Sequence, residues 1–382
     1  MLRYITAGES HGKGLVAIMD GMPSGLRLDG EADTFIRNEM RKRMHGYGRG
    51  GRMKIEDDGS RIEILSGTRR GLTIGSPISM IILNQDHKIE ELADVLTPRP
   101  GHADMAGIQK YSLKDARSVL ERASARETAM RVAVGAVSKL FLREFGIEIL
   151  SHVTSIGGVM AVTEGLGFGD IRERTDPAVS VLRCADVSAE KKMCALIDAC
   201  KEAGDTLGGT FDVLATGVPP GLGSYAEWDR RLDGAIARAM IAIPAVKAVS
   251  IGKGVENVLR KGSEVHDPIS YDNSSGKFVR MTNNAGGIEG GMSNGEMVVV
   301  TGFMKPIATL SSPLDTMDIY SKKKAKASTE RSDVCAVSAC GVVGEAVIAF
   351  ELAAAIMDKF GGDSMEEVLR NYKAYIEGIK NI

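Results

Sequence analysis

The sequence is short of several things that would assign it quickly. Its five cysteines, Cys184, Cys194, Cys200, Cys335 and Cys340, are odd in number and form no CxxC pair, so neither a disulfide framework nor a zinc ribbon is expected. The six histidines include no H-x-x-x-H, and no metal site is expected. No G-x-x-x-x-G-K-[ST] run occurs, which removes a P-loop. Neither sign of charge prevails: 48 Lys and Arg face 50 Asp and Glu, for a net charge of −2, so no global basic field marks a nucleic-acid binder. The N-terminal MLRYITAGESHG lacks a signal-peptide apolar region, and no apolar run is expected to approach the roughly 20 residues that span a bilayer. What remains, 43% apolar and 26% charged residues with a mean hydropathy of −0.04, excludes a wholly disordered chain and has the balance of a cytoplasmic enzyme.

What the chain has in excess is glycine, 45 residues against 11 prolines, clustered between elements. Periodicity places strands at Leu2–Thr6 and Gly14–Met19, a helix over Glu31–Met44, and strands over Lys54–Leu65 and Ile78–Leu83. A long apolar helix follows, then a strand near Ile147–Ile156, a helix over Ser188–Ala203 closed by Gly204, and a strand at Thr210–Ala215. A helix at Ala226–Ile243, strands at Val246–Ile251 and Glu296–Phe303, an apolar helix at Val342–Phe360 and a short amphipathic helix after Asp363 complete the pattern. The expectation is one α/β or α+β unit over 1–382 with several long central helices. The rhythm hints at two loosely similar halves, and no residue-level repeat establishes them.

The densest chemistry lies in RASARETAMR, Arg122 to Arg131. Ser124 followed by Glu127 has the form of a capping box, so the helix is expected to begin near Ser124, with Gly146 as its C′ residue. A helix N-terminus with Arg122 and Arg126 beside it reads as an anion site, most naturally for phosphate. The plainer reading is a capped helix with solvated arginines.

Gly46, Gly48 and Gly51 in GYGRGG match G-x-G-x-x-G, but a basic helix precedes them and a strand-like MKIE follows, so a Rossmann site is rejected. The basic segment 37–54 reads as a solvated face or an RNA contact. Tyr47 is the one aromatic there, which leaves base stacking little support. Mobile arginine loops gripping a small polyanion explain the glycines better.

Three further constellations carry candidate chemistry. GESHG sets Ser10 and His11 on a tight turn, RPGHAD sets Arg99 and His102 on a Pro-Gly turn, and ERSDVCAV places Arg331 and Asp333 ahead of the last long helix. Two histidines in glycine-bracketed turns point to proton transfer. Asp333 reads equally as a helix N-cap. NNAGGIEGG and MKPIATL add flexible backbone and Lys305.

Together these islands resemble the chorismate synthase family. TAGESHG, GYGRGGRMKIE, RPGHAD, RASARETAMRVAVGA, GGIEGGMSNGE, MKPIATL and ERSDVCAV follow the family's order and approximate spacing from Tyr4 to about Leu352. The resemblance implies an α+β fold, a β-α-β sandwich with long central helices between antiparallel sheets. It implies a lyase that converts 5-enolpyruvylshikimate-3-phosphate to chorismate and phosphate by 1,4-anti elimination with reduced FMN, the last step of the shikimate pathway to aromatic amino acids. A homotetramer is implied, and NADPH as ultimate reductant. No segment looks like an added flavin-reductase domain, so an external reductase is the expected source of reduced FMN.

By the same resemblance His11, His102 and Asp333 are catalytic. His11 keeps the reduced flavin protonated, His102 protonates the departing phosphate, and Asp333 assists removal of the ring proton. Arg122, Ala123, Ser124, Pro244, Ala245, Gly290, Lys305, Pro306, Ile307, Ala308, Thr309 and Arg331 match flavin contacts. Ser10, Arg43, Arg49, Arg99 and Arg126 match positions that hold substrate or the NADP phosphate. Ser124 has two candidate duties, capping and flavin contact, which stay unranked. Two rival classes stand beside this reading: another phosphate-binding flavoenzyme with net redox turnover, and a nucleic-acid-binding protein using 37–54.

Overall fold

Leu15, Ala17 and Met19 are buried on alternate positions of one strand and Ile78, Met80 and Ile82 on another, so each presents a single apolar face to be covered. The computed structural model describes residues 1–51, 57–273 and 276–380 and shows what covers them. Strands β1 (Arg3–Gly8), β2 (Gly14–Asp20), β3 (Ile62–Ile64) and β4 (Ile78–Leu83) form one sheet in the order β1-β2-β4-β3. Strands β5 (Glu148–Ile156), β6 (Val159–Met160), β7 (Gly209–Thr216), β8 (Val246–Ile251) and β9 (Val298–Met304) form another, ordered β8-β9-β7-β5-β6. Every pairing in both is antiparallel.

Six long helices accompany the sheets: α1 (Glu31–Met44), α2 (Thr128–Arg143), α3 (Val187–Glu202), α4 (Leu232–Ile241), α5 (Val337–Phe360) and α6 (Met365–Ile379). Helix α2 packs on β1, β2 and β4, with α1 at its side, and α5 packs on β5, β7 and β9, with α4 at its side. The two central helices lie on each other, and a Cβ on Gly135 of α2 would stand 2.3 Å from the Cβ of Ala346 on α5. That is the α+β sandwich expected, sheet, helices, sheet. Helices α2 and α5 are buried on nearly every side, and most of their residues are apolar. Here one expectation fails. Helix α5 is long and apolar enough by length and composition to cross a membrane, but 78% of that stretch is buried between the sheets. It starts at Val337, five residues before the expected Val342, because its first turn is buried and needs no polar signal.

Three other boundaries moved. The strand expected over Lys54–Leu65 survives only as β3. Residues 54–56 lie outside the described ones, and Asp58–Arg61 form a helical turn whose Asp57 carboxylate accepts from Ser60 N–H. The helix expected over Ala226–Ile243 is a 3-10 turn at Trp228–Arg230 and then α4. The tail helix α6 runs fifteen residues, so it is not short.

A repeat that the letters hide is plain in three dimensions. The strands β1-β2-β4-β3 and β5-β7-β9-β8 follow the same order, and each half inserts the same proline turn. In Gly21–Leu26 and in Gly217–Leu222 the glycines stand at positive φ, 91 and 96 degrees in the first and 75 and 87 in the second. The Thr73 hydroxyl accepts from Leu26 N–H and donates to Pro23 O; the Ser293 hydroxyl accepts from Leu222 N–H and donates to Pro219 O. The two turns share the letters G-x-P-x-G-L and a distant hydroxyl, too short a match to register as a repeat.

A buried ionic cluster joins the halves. Lys139 Nζ on α2 lies 2.5 Å from Glu39 Oε2 on α1 and 2.5 Å from Glu345 Oε2 on α5. Glu345 Oε1 also accepts from Ser151 N–H and hydroxyl on β5 and from Arg183. Burial alone would raise the Glu39 carboxyl, but Lys139 and Lys42 outweigh it and hold it at about 2.

Candidate active site

Between β4 and α2 runs a connector, 84–127, and its counterpart between β9 and α5 is 305–336. The two are bonded to each other along their length. The Thr97 and Ser328 hydroxyls meet at 2.8 Å, Arg117 pairs with Glu330 at 3.0 Å, Arg99 Nη1 donates to Thr309 Oγ1 at 2.7 Å, and Arg331 reaches Asp86 at 3.2 Å. The GYGRGG loop meets the strip 328–335 through Asp333, the GESHG turn meets Asp86, the partner of Arg331, and RPGHAD meets the 305–309 end of the same connector through Arg99–Thr309 and Lys305–Gly101.

Asp333 is not an N-cap. The cap position of α5 is Ala336, which makes no side-chain cap bond. The residues before it are held extended, because Val334 N–H donates to Gly48 O and Leu207 N–H to Val334 O. Asp333 therefore points to the GYGRGG loop, where Oδ1 accepts from Gly50 N–H at 2.6 Å and Oδ2 pairs with Arg49 Nε at 2.9 Å. Glycine is required at Gly48, which has φ 80 degrees and no room for a Cβ within 2.8 Å of Ile197.

The two histidines are each oriented by a carboxylate. On the β1–β2 turn His11 places Nδ1 3.0 Å from Glu121 Oε1 and its own N–H 2.7 Å from Glu121 Oε2, while Nε2 lies 3.7 Å from Asp86. Ser10 is buried beside it, its N–H donating to Glu121 O. His102 sets Nδ1 2.5 Å from Asp104 Oδ1, and the Arg99 guanidinium binds the same carboxylate and lies 2.9 Å from that nitrogen. Burial works to raise the Asp104 carboxyl, but hydrogen bonds from His102 and Arg99 prevail and hold it well below the usual carboxylate range.

The arginines around Ser124 depart from expectation. Residues 117–123 are already helical, so the chain kinks at Ser124, makes a 3-10 turn over Ala125–Glu127, and enters α2 only at Thr128. Ser124 accepts from Arg126 N–H, yet Glu127 turns away to Thr6 Oγ1 and Arg131, so the expected capping box is not formed. Gly146, at φ 76 degrees, lies beyond the Glu144 cap, past the expected C′ place. Arg122 ties down β1 through Gly8 O and Thr6 O. Arg126 is buried in a bidentate pair with Asp58, 2.6 and 2.7 Å, and also meets Asn84. Arg122 and Arg126 thus tie parts of the fold together where the sequence suggested a helix-start anion site.

Arg43 donates to Thr128 Oγ1 and Ala125 O, and its buried Nη1 has no hydrogen-bond partner, though Asp58 stands 3.5 Å away. Burial lowers the Arg43 guanidinium to about 10, with Asp58 opposing and Arg126 and Arg49 adding to the effect. Much of the basic segment is likewise spent inside the molecule: Arg37 on Asp33, Lys42 on Glu39, Arg49 on Asp333. Arg52 and Lys54 lie outside the described residues. That leaves little of a free basic face.

Lys305–Thr309 forms the floor. Lys305 Nζ donates to Gly101 O in RPGHAD, Lys305 N–H to Ala245 O, and Ile307 O accepts from Thr206. Ala308 approaches Gly101 as well. Pro244–Ala245 thus lies against Lys305, with Ala245 at φ 71 degrees. Pro306 is exposed on the same strip. Ala123 closes the helical turn just before Ser124. Gly290 sits apart, on the Ile288–Ser293 hairpin whose neighbours are Ser224, Arg231 and Leu232. Among the described residues no group of three or more His, Cys, Asp or Glu is arranged to hold a metal ion. Cavities of about 410 Å3 beside Asp29 and about 280 Å3 beside Lys139 are lined by other residues.

Three carboxylates escaped the reading of the sequence: Glu121, Asp86 and Asp58. Only Glu121 had a signal, its position next to Arg122. Asp104 was visible as the last letter of RPGHAD.

The family model described as "Chorismate synthase" matches residues 2–357. The chorismate synthase of Geobacter sulfurreducens is 49% identical over 399 residues, covering all of both chains. That of Geotalea daltonii is 51% identical with the same coverage, and that of Desulforudis audaxviator is 50% identical over 98% of its length. A solved structure titled "Crystal Structure of Chorismate Synthase" is 42% identical, superposes with a TM-score of 0.81, and covers 100% of this chain and 99% of that one. The chain belongs to the chorismate synthase family.

Proposed function

We propose, from that membership, that the protein removes phosphate and a ring proton from 5-enolpyruvylshikimate-3-phosphate to give chorismate, with reduced FMN as cofactor. The observation that carries the reading is that one connector, 305–336, is bonded to the arginine loop through Asp333, to the His11 turn through Arg331 and Asp86, and to the His102 loop through Thr309 and Lys305. A phosphate and two carboxylates need several cations. Arg43 has a spare buried donor, Arg331 is 60% exposed on its one carboxylate, and Lys305 meets only a carbonyl.

Those same groups fit a phosphorylated flavin, with Ala123–Ser124, Pro244–Ala245, Lys305–Thr309 and Arg331 along its course. Reduced FMN held by these groups would supply transient electron density to the elimination of the ester C–O and ring C–H bonds, with no net redox change. His102, oriented by Asp104, gives a proton to the departing phosphate. His11 holds a proton facing the cofactor, and Asp333 is the carboxylate toward which the ring proton is relayed. Arg99 and Arg49 position those groups, since each pairs with the working carboxylate or lies beside the working imidazole.

We place the enzyme in the cytoplasm as a homotetramer, supplied by an external, NADPH-driven flavin reductase. An apolar face left open on the first sheet, with Ile5 and Ile18 paired across strands and Leu65 and Leu83 nearby, supports assembly. The test is an anaerobic assay with dithionite-reduced FMN. Phosphate and chorismate absorbance should appear in equal amounts with no reductant consumed. Reductant consumed in proportion to product would turn the assignment to a redox flavoenzyme.

A further inference from the structure

We propose that Glu121 is the positioning residue of His11, fixing which imidazole nitrogen faces the reacting groups. The proposal rests on the role given to His11 above. Glu121 sits on the short helix Arg117–Ala123, and its side chain is fully buried. A buried carboxylate is tolerated only when its lone pairs are filled, and here one residue of the partner turn fills most of them. His11 N–H donates to Oε2 at 2.7 Å, His11 Nδ1 lies 3.0 and 3.1 Å from the two oxygens, and Arg117 stands 3.5 Å from Oε1. The main chain adds a fourth tie, Ser10 N–H to Glu121 O at 3.0 Å.

A residue that only pinned the turn would need the two backbone bonds alone. The contact to Nδ1 does something further. A carboxylate there accepts the Nδ1 proton, and the ring must then present Nε2 outward, toward Asp86 and the strip carrying Arg331. The charged groups around the ring are Glu121 and Asp86, with Arg117 behind the first and Lys88 and Arg331 behind the second. The device parallels Asp104 on His102, but it comes from a different helix, with no motif spacing to announce it.

Glu121→Gln keeps the shape and an acceptor oxygen but loses the charge. The turnover number is expected to fall roughly 10- to 100-fold, the range for removing the carboxylate that orients an imidazole, with the KM for substrate within about twofold. Glu121→Asp should recover part of that loss. An unchanged turnover number, or a loss confined to KM, overturns the proposal. Should the variants fold poorly, nitrogen-15 NMR of histidine-labelled wild type settles it, with the His11 signal assigned by its absence from His11→Asn. A proton on Nδ1 is expected at neutral pH, and a ring protonated on Nε2 alone overturns the assignment. That spectrum needs no turnover, so it separates failure of this inference from failure of the proposed reaction.

Discussion

The two halves of the molecule share a strand order and a proline turn, yet their connectors differ in cargo. The first, 84–127, carries Asp86, the RPGHAD loop and the Glu121 helix; the second, 305–336, carries Lys305–Thr309 and the Asp333 strip. Neither set is complete alone. Arg99 needs Thr309, Arg117 needs Glu330, and Asp86 needs Arg331. Repetition supplies the scaffold, and divergence of equivalent connectors supplies the chemistry.

The strongest way to break this comparison is to disable one connector at a time. His102→Ala removes the proposed acid of the first and Asp333→Asn the proposed proton-relay carboxylate of the second. Each is expected to lower single-turnover rates by roughly 10²- to 10⁴-fold with melting temperature little changed. The double variant should lose far less than the product of the two, because both serve one elimination. Wild-type turnover in Asp333→Asn would remove that residue from the mechanism.

Cutting the ionic seam between the halves comes next. Lys139→Met leaves Glu39 and Glu345 buried without their shared cation, and denaturant unfolding should report a loss of about 3 to 5 kcal/mol. The seam also sets an acid limit. The Glu39 carboxyl is depressed from 4.5 to about 2, so its contribution is fully present above pH 4.5 and is lost as pH falls toward 2. Unfolding free energy measured over that window should fall with acid in the wild type and fall less in Glu39→Gln. A profile unchanged by the substitution would place the acid sensitivity elsewhere.

The smallest effects give the finest comparison. Thr73→Val and Ser293→Ala each remove a buried hydroxyl that bridges the same two backbone groups in its own half. Each should cost about 1 to 3 kcal/mol, and the costs should add, since the residues belong to separate turns. Unequal losses would show that the turns are alike in shape and unlike in duty.

Much of this was legible in the letters, and the failures share a cause. Helix α1 and strand β4 fell where periodicity put them, because one face of each is buried and the other is not, and strand β8 also kept its expected bounds. Helix α5 began early because a fully buried helix has no amphipathic edge to mark its start. Ser124 misled because the residues before it were already helical. In the candidate site, the histidines and Asp333 were visible within short motifs. Glu121 and Asp58 were not, since their partners lie 110 and 68 residues away. A buried carboxylate declares itself only once its cation is beside it.

The Asp333 strip has a consequence for how the protein is made. Synthesis runs from the N-terminus, so both histidine loops leave the ribosome long before residues 328–335 exist. Until then Arg49, Asp86 and Arg117 lack the partners that the strip brings, and α2 lacks the helix that covers it. A nascent chain paused before this point would hold its first sheet and Arg49 of GYGRGG with no assembled site. Competence to bind a polyanion would then arrive late and all at once, with the emergence of one short segment and the helix behind it.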